Sequence, residues 1–199
     1  MSRTLLFFCA GLAAGIARAG SIYHESLSGD FSGDRLNPTM VNFSAGHNEV
    51  HGTTGAQATT DRDYFTFVVP NGLALTNLMV LGNTAHGNNR AFIGIQAGPQ
   101  VTVPTNAATA AGLLGYHHYR SADIGTDILP LIAEAKNGAS GFPSILGPGT
   151  YSVWIQEVAT GVFPYHLDFV LSPEPGTWAL MAGGLAAGLV RLKRASRPR

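Results

Sequence analysis

Asp63-Tyr64-Phe65-Thr66-Phe67-Val68-Val69, followed by Pro70-Asn71-Gly72, is the stretch on which the fold turns. In an extended chain Phe65, Phe67 and Val69 share one face and Tyr64, Thr66 and Val68 the other, while Pro-Asn-Gly supplies a turn. Both faces carry aromatic or β-branched residues, so the strand is expected to be covered at least in part on each side. Outward from it, Leu73 to Leu81 and Ala91 to Gln96 read as two more strands at hairpin-like spacing, with Gly82 to Asn89 as a polar loop. Near the other end, Tyr151, Val153 and Ile155 alternate with Ser152, Trp154 and Gln156 within Thr150 to Val158. Tyr165, Leu167, Phe169 and Leu171 then alternate with His166, Asp168 and Val170, and the two runs are expected to pair as a terminal hairpin. Asp127 to Lys136 is the one helix candidate: Asp127 suits the N-cap, Pro130 the first turn, and Gly138 the stop. Gly20 to Thr60 is rich in Gly, Ser, Thr and Asn, and reads as loops around one or two short strands such as Met40 to Phe43. Short strands, turn signals and one incidental helix predict an all-β fold, an antiparallel, jelly-roll-like β-sandwich.

Composition agrees with a single globular domain. Of 199 residues 45% are hydrophobic and 12% charged, too few charges for a solvated disordered chain. The zero formal net charge conceals a separation: Gly20 to Pro173 holds five basic residues and eleven acidic ones, while the last nine residues alone hold five basic ones. None of the five central cations neighbours another in sequence, which argues against a phosphate-neutralising face on the body, and no nucleic-acid partner is expected.

The two ends read as addresses. Arg3, the apolar run Leu5 to Ile16, and Ala17-Arg18-Ala19 have the layout of a secretory signal peptide spanning residues 1–19, with Ala17 and Ala19 at the cleavage site and the Sec-type export machinery as partner. Cys9, the single cysteine, lies inside it, so the mature chain must hold together by packing without disulfides. At the far end Ser172-Pro173-Glu174-Pro175-Gly176-Thr177 precedes the uncharged run Trp178 to Val190, read as a short hydrophobic helix, and then Arg191, Lys193, Arg194, Arg197 and Arg199. Thirteen residues make about 20 Å of helix against roughly 30 Å of hydrocarbon, a marginal membrane anchor. By the positive-inside rule the basic cluster stays cytoplasmic as a stop, which places the body outside. A permanent single-pass anchor remains the alternative to a segment that is later removed.

Pro173-Glu174-Pro175-Gly176-Thr177-Trp178-Ala179-Leu180, the Gly/Ala/Leu run and the Arg-rich end resemble a PEP-CTERM sorting signal, a segment also described as an ice-binding protein C-terminal domain. The resemblance covers residues 173–199 and implies recognition of Pro173, Glu174 and Pro175 by an exosortase-type processing enzyme. It further implies an inner-membrane intermediate, then delivery to the cell surface or the extracellular matrix near exopolysaccharide. It implies no activity: Thr53, Thr54, Thr59 and Thr60 lack the regular period of an ice-binding array. Within the body, residues 20–172, Asp61 to Gly72 with the strand after it, and Pro148-Gly149-Thr150-Tyr151, resemble the bacterial pre-peptidase C-terminal domain, which implies a binding or spacer module.

Candidate chemistry is sparse. His47-Asn48-Glu49-Val50-His51 has the i, i+4 histidines of a zinc protease, but the glutamate is one place too late and glycines bracket the segment, so a solvated loop is expected and no metal site is assigned. His117 and His118 would point to opposite faces of a strand. Asp61 and Asp63 are candidate calcium ligands at a strand entrance. No nucleophile elbow, phosphate loop or mature-chain cysteine is present, so neither catalysis nor a cofactor is expected. One surface remains: Trp154, Gln156, His166 and Asp168 would share the polar face of the terminal hairpin and offer an indole for stacking on a sugar, making polysaccharide a candidate partner.

Overall fold

The computed structural model describes residues 20–85 and 90–174. The cleavage site expected at Ala17 and Ala19, and the part of the expected sorting segment from Pro175 through Arg191, Lys193, Arg194, Arg197 and Arg199, lie outside the described residues. Among the described residues no helix is long and apolar enough to cross a membrane.

The chain is all-β, as its alternation implies. Its strands are β1 (Ser21–His24), β2 (Thr39–Met40), β3 (Gly46–Ala56), β4 (Thr60–Val69), β5 (Leu73–Val80), β6 (Ala91–Ala97), β7 (Gly115–Tyr119), β8 (Gly149–Gln156) and β9 (Phe163–Pro173). Two four-residue helices, α1 (Glu25–Ser28) and α2 (Leu129–Ile132), interrupt them. The main order is β5-β9-β3-β4-β8-β6-β7, with β1 added in parallel to β3 and β2 to β4. β3 and β4 are bonded only at their corner, Gly55 opposite Asp61 and Ala56 opposite Thr60, so the sheet curls there into two halves that face one another. One half is β1-β3-β9-β5; the other is β2-β4-β8-β6-β7.

The inward residues foreseen in the sequence fill the space between the halves. Phe65 and Phe67 of β4 meet Phe169 of β9 with ring centroids 5.7 Å apart in each case, and Val153, Ile155, Leu167 and Leu171 complete the layer. A second, smaller core lies on the outer face of the β4–β8–β6 half. There Tyr64 and Trp154 are covered by Val101, Val103, Ala110, Leu113 and Ala139, which come from the connections on either side of β7.

Four expectations are corrected. The terminal hairpin does not form: β8 pairs with β4 and β6, while β9 pairs with β3 and β5, so the short connection between them crosses from one half to the other. β5 and β6 likewise belong to different halves. The helix expected over Asp127 to Lys136 is one turn, Leu129–Ile132: Asp127 ties its start to β5, Oδ1 accepting from Leu129 N at 3.0 Å and Leu78 N at 2.9 Å, and just past its end Phe142 N donates to the carbonyl oxygen of Ala133. Finally, Gly46–Ala56 is an eleven-residue strand at the centre of its half, not a loop. Its inward side is polar, yet Asn48 is satisfied: its Nδ2 donates to the carbonyl oxygens of Ser44, Gly46 and Phe169 at 2.9 to 3.1 Å.

Candidate functional site

Extended geometry changes what β3 can do. In a strand His47, Glu49, His51 and Thr53 project from one face, and Asn48, Val50, Gly52 and Thr54 from the other. The first set lies on the open outer face, and the register aligns it with its neighbours: His24 of β1 and His166 of β9 are both cross-strand partners of His51 of β3. Their rings stack, with centroids 4.8 Å apart between His24 and His51 and 3.6 Å between His51 and His166. Glu49 lies one step along the same face. Its Oε2 is 3.0 Å from His166 Nε2 and 3.4 Å from His51 Nε2. Partial burial pushes the Glu49 carboxyl up, but the hydrogen bonds to His166 and His51 prevail and hold it below the usual range. Burial, then the neighbouring His166, pushes the His51 imidazole down. Asp168, beside Glu49 across the β3–β9 pair, is tied to His47 Nδ1 at 2.6 Å and accepts from Asn48 N at 3.0 Å.

A second cluster lies at the open end of the sandwich, where β1 gives way to α1. The Glu25 carboxylate takes over the edge of β3 that β1 leaves, its Oε2 accepting from Thr53 N at 2.8 Å. Ligand oxygens of Glu25, Asp30 and Asp63 all lie within 4.8 Å of one another. Asp63 is 0% exposed; its Oδ2 accepts from the Tyr165 hydroxyl at 2.6 Å, and its Oδ1 is buried with no partner. Among the described residues no lysine or arginine forms an ion pair with any of the three. Desolvation, reinforced by Glu25, pushes the Asp63 carboxyl up to about 9; desolvation also raises Glu25 to about 7, against the bond from Thr53. Burial thus favours the protonated form of the Asp63 carboxyl at neutral pH.

Both clusters border one cleft of about 450 Å³, lined by His24, Glu25, Asp30, His51, Tyr165 and His166 among others. Gly52 makes the approach possible. It stands opposite Tyr165, and a Cβ there would fall 2.9 Å from Glu25 Oε1 and collide with the Tyr165 hydroxyl.

The residues named from sequence fare unequally. Asp63 belongs to the carboxylate cluster; Asp61, two places earlier on β4, adds repulsion to Asp63 but is outside the converging set. The proposed sugar face is not assembled. Trp154 is 5% exposed, edge-on to Phe92 with ring centroids 4.8 Å apart, and Gln156 is held by Arg62 Nε at 3.0 Å. His166 and Asp168 sit on the other half of the sandwich, because β8 and β9 do not pair. Pro173 pairs with Leu73 at the end of β9, and Glu174 N donates to Gly72 O, so the Pro-Glu-Pro stretch begins where the sheet ends. Glu25 and Asp30 escaped sequence reasoning as ligands, whereas Glu49 and His51 were weighed with His47 on a helix and set aside; the signal that would have kept them is the period-2 spacing of a strand. No protein-family model matches this chain, and no curated protein matches it.

Proposed function

We propose that this chain is an exported, non-catalytic protein of the cell surface or extracellular matrix, sorted by an exosortase-type enzyme, with a sandwich body that binds calcium. The carrying observation is the Glu25–Asp30–Asp63 cluster: one carboxylate oxygen of each lies within 4.8 Å of the others, and Asp63 Oδ1 is buried without a hydrogen-bond partner. Calcium is a hard cation that takes oxygen ligands and would displace the protons that burial favours on Asp63 and Glu25. Extracellular modules commonly bind it at roughly 10⁻⁴ to 10⁻³ M, a range that suits a body carrying eleven acidic residues outside the cytoplasm. Delivery rests on the order of motif, apolar run and basic end over residues 173–199, and association with exopolysaccharide follows from that address instead of from an aromatic face.

Calorimetric titration with Ca²⁺ at pH 8 tests the body's role. One equivalent bound with release of protons, and none in Asp63→Asn, is expected; the same heat in both proteins refutes the assignment. Intact mass from the native host tests delivery: cleavage after Ala19 and near Pro173 to Pro175 is expected. A retained basic tail would mean a permanent anchor, and an intact Met1 would refute export.

A further inference from the structure

The calcium reading leaves the outer-face cluster unused, and that cluster has different chemistry. Two imidazole nitrogens and one carboxylate oxygen, from Glu49, His51 and His166, lie within 4.8 Å of one another on two bonded strands. Borderline-soft metal ions favour such nitrogen-containing sets, whereas calcium favours oxygen. The bonds around His166 sharpen the case. Its Nδ1 is 3.2 Å from the carbonyl oxygen of Gly82, an atom that only accepts, so Nδ1 carries the proton. In the neutral ring Nε2 is then a lone pair, aimed at a carboxylate oxygen 3.0 Å away. Two acceptors in that position need something positive between them: a further proton or a metal ion. The bonded carbonyl behind the ring is the support that commonly fixes the tautomer of a metal-ligating histidine. His51 brings a second Nε2 to the same Glu49 oxygen, at 3.4 Å, its ring stacked on that of His166 with centroids 3.6 Å apart. A metal ion would draw both Nε2 atoms and the Glu49 carboxylate oxygen to one centre.

We propose that Glu49, His51 and His166 form a site for a zinc-class transition-metal dication on the outer face of the sandwich. The ligand atoms need only close in toward zinc distances of about 2.0–2.2 Å. The three protein ligands leave further coordination open toward the cleft, where Asn83 lines the wall. His24 is outside the set: its Nδ1 is engaged by Ser26, with N at 3.3 Å and Oγ at 2.9 Å, and it serves to cover the His51 ring.

The test uses the full chain, stripped with a chelator and dialysed, at pH 7.5. Zn²⁺ is titrated calorimetrically in saturating Ca²⁺, and Co²⁺ is followed by its visible absorption. One equivalent of Zn²⁺ is expected to bind despite the Ca²⁺. Glu49→Gln, His51→Ala and His166→Ala should each weaken it by more than the roughly 10–100-fold that loss of an outer-shell partner causes, with His24→Ala nearly unchanged. Asp63→Asn, which abolishes calcium binding on the earlier reading, should leave Zn²⁺ binding intact, so the two assignments fail separately. Equal affinity in all variants, or no Zn²⁺ bound by the wild-type chain, overturns the proposal. Where a variant loses its far-ultraviolet circular dichroism, the wild-type Co²⁺ spectrum decides: strong bands of a four- or five-coordinate ion support the site, and a weak octahedral spectrum overturns it.

Discussion

Replacing Asp63 by asparagine should change how stability depends on pH more than it changes stability itself. In the folded chain burial raises the Asp63 carboxyl to about 9, whereas in the unfolded chain it titrates near 3.9. Between those values the folded state holds a proton that the unfolded state has released, so the free energy of unfolding falls as pH rises. The contribution is fully present below about pH 4 and lost as pH climbs through about 9, at about 1.4 kcal/mol per pH unit. From pH 5 to pH 8 that amounts to roughly 4 kcal/mol, a large share of the stability of an ordinary domain. Glu25, raised to about 7, adds a shallower slope below neutrality, discounted because its carboxylate is only half-buried.

The carboxamide of the Asp63→Asn variant would keep an acceptor for the Tyr165 hydroxyl but would not titrate, so the variant isolates the proton. Urea unfolding with chelator at pH 5, 6, 7, 8 and 9, followed by tryptophan fluorescence, is the assay. The wild-type chain should lose stability steadily across the series, and Asp63→Asn should be nearly flat above pH 7. In wild-type protein Ca²⁺ at about a thousand times its dissociation constant should offset most of that fall, contributing about 4 kcal/mol. Equal slopes above pH 7 in the two proteins would refute the reasoning, because the buried proton would then be elsewhere.

Two further substitutions probe the packing around the site. Gly52→Ala should cost about 1–3 kcal/mol in urea unfolding, and should weaken Ca²⁺ binding, because its methyl group displaces Tyr165 and Glu25 together. An unchanged midpoint and unchanged Ca²⁺ titration would show that the cleft has room to spare. Trp154→Ala should cost about 3–5 kcal/mol by emptying the second core, without altering affinity for polysaccharide in a pull-down assay. Loss of polysaccharide binding in a folded Trp154→Ala protein would restore the sugar face.

Alternation was legible wherever one strand face met the core. Phe65, Phe67 and Val69, or Leu167, Phe169 and Leu171, identify both the strand and its inner side from spacing alone, and the structure buries all six. Pairing was not legible, since the same alternation suits any partner. Only the corner at Gly55 and Asp61 decides that β8 and β9 diverge instead of forming a hairpin. β3 was missed for a different reason. Its inward positions are Asn48, Val50, Gly52 and Thr54, which resemble a loop because the hydrogen bonds of Asn48 and the crossing of Tyr165 replace apolar packing. Trp154 shows the converse: alternation places it correctly on the outer face, but whether that face is open depends on residues 98–114 and 139, far off in sequence.

The two outer faces of the sandwich are treated differently, and this asymmetry locates function. On the β4–β8–β6 half, connections on either side of β7 lay Val101, Val103, Ala110 and Leu113 over Tyr64 and Trp154, and the face becomes core. No such cover is needed on the β1–β3–β9 side, because its outward positions are His24, His47, Glu49, His51, His166 and Asp168, whose charges and ring nitrogens bond across the strands. A half-buried polar row of this kind gains little folding stability, since exposed ion pairs contribute roughly 0–1 kcal/mol each. Stability alone would be served as well by threonine or lysine at those places. Three histidines in register on three adjacent strands, with a carboxylate one step away and a carbonyl behind the last ring, are better explained by what they bind than by what they hold together.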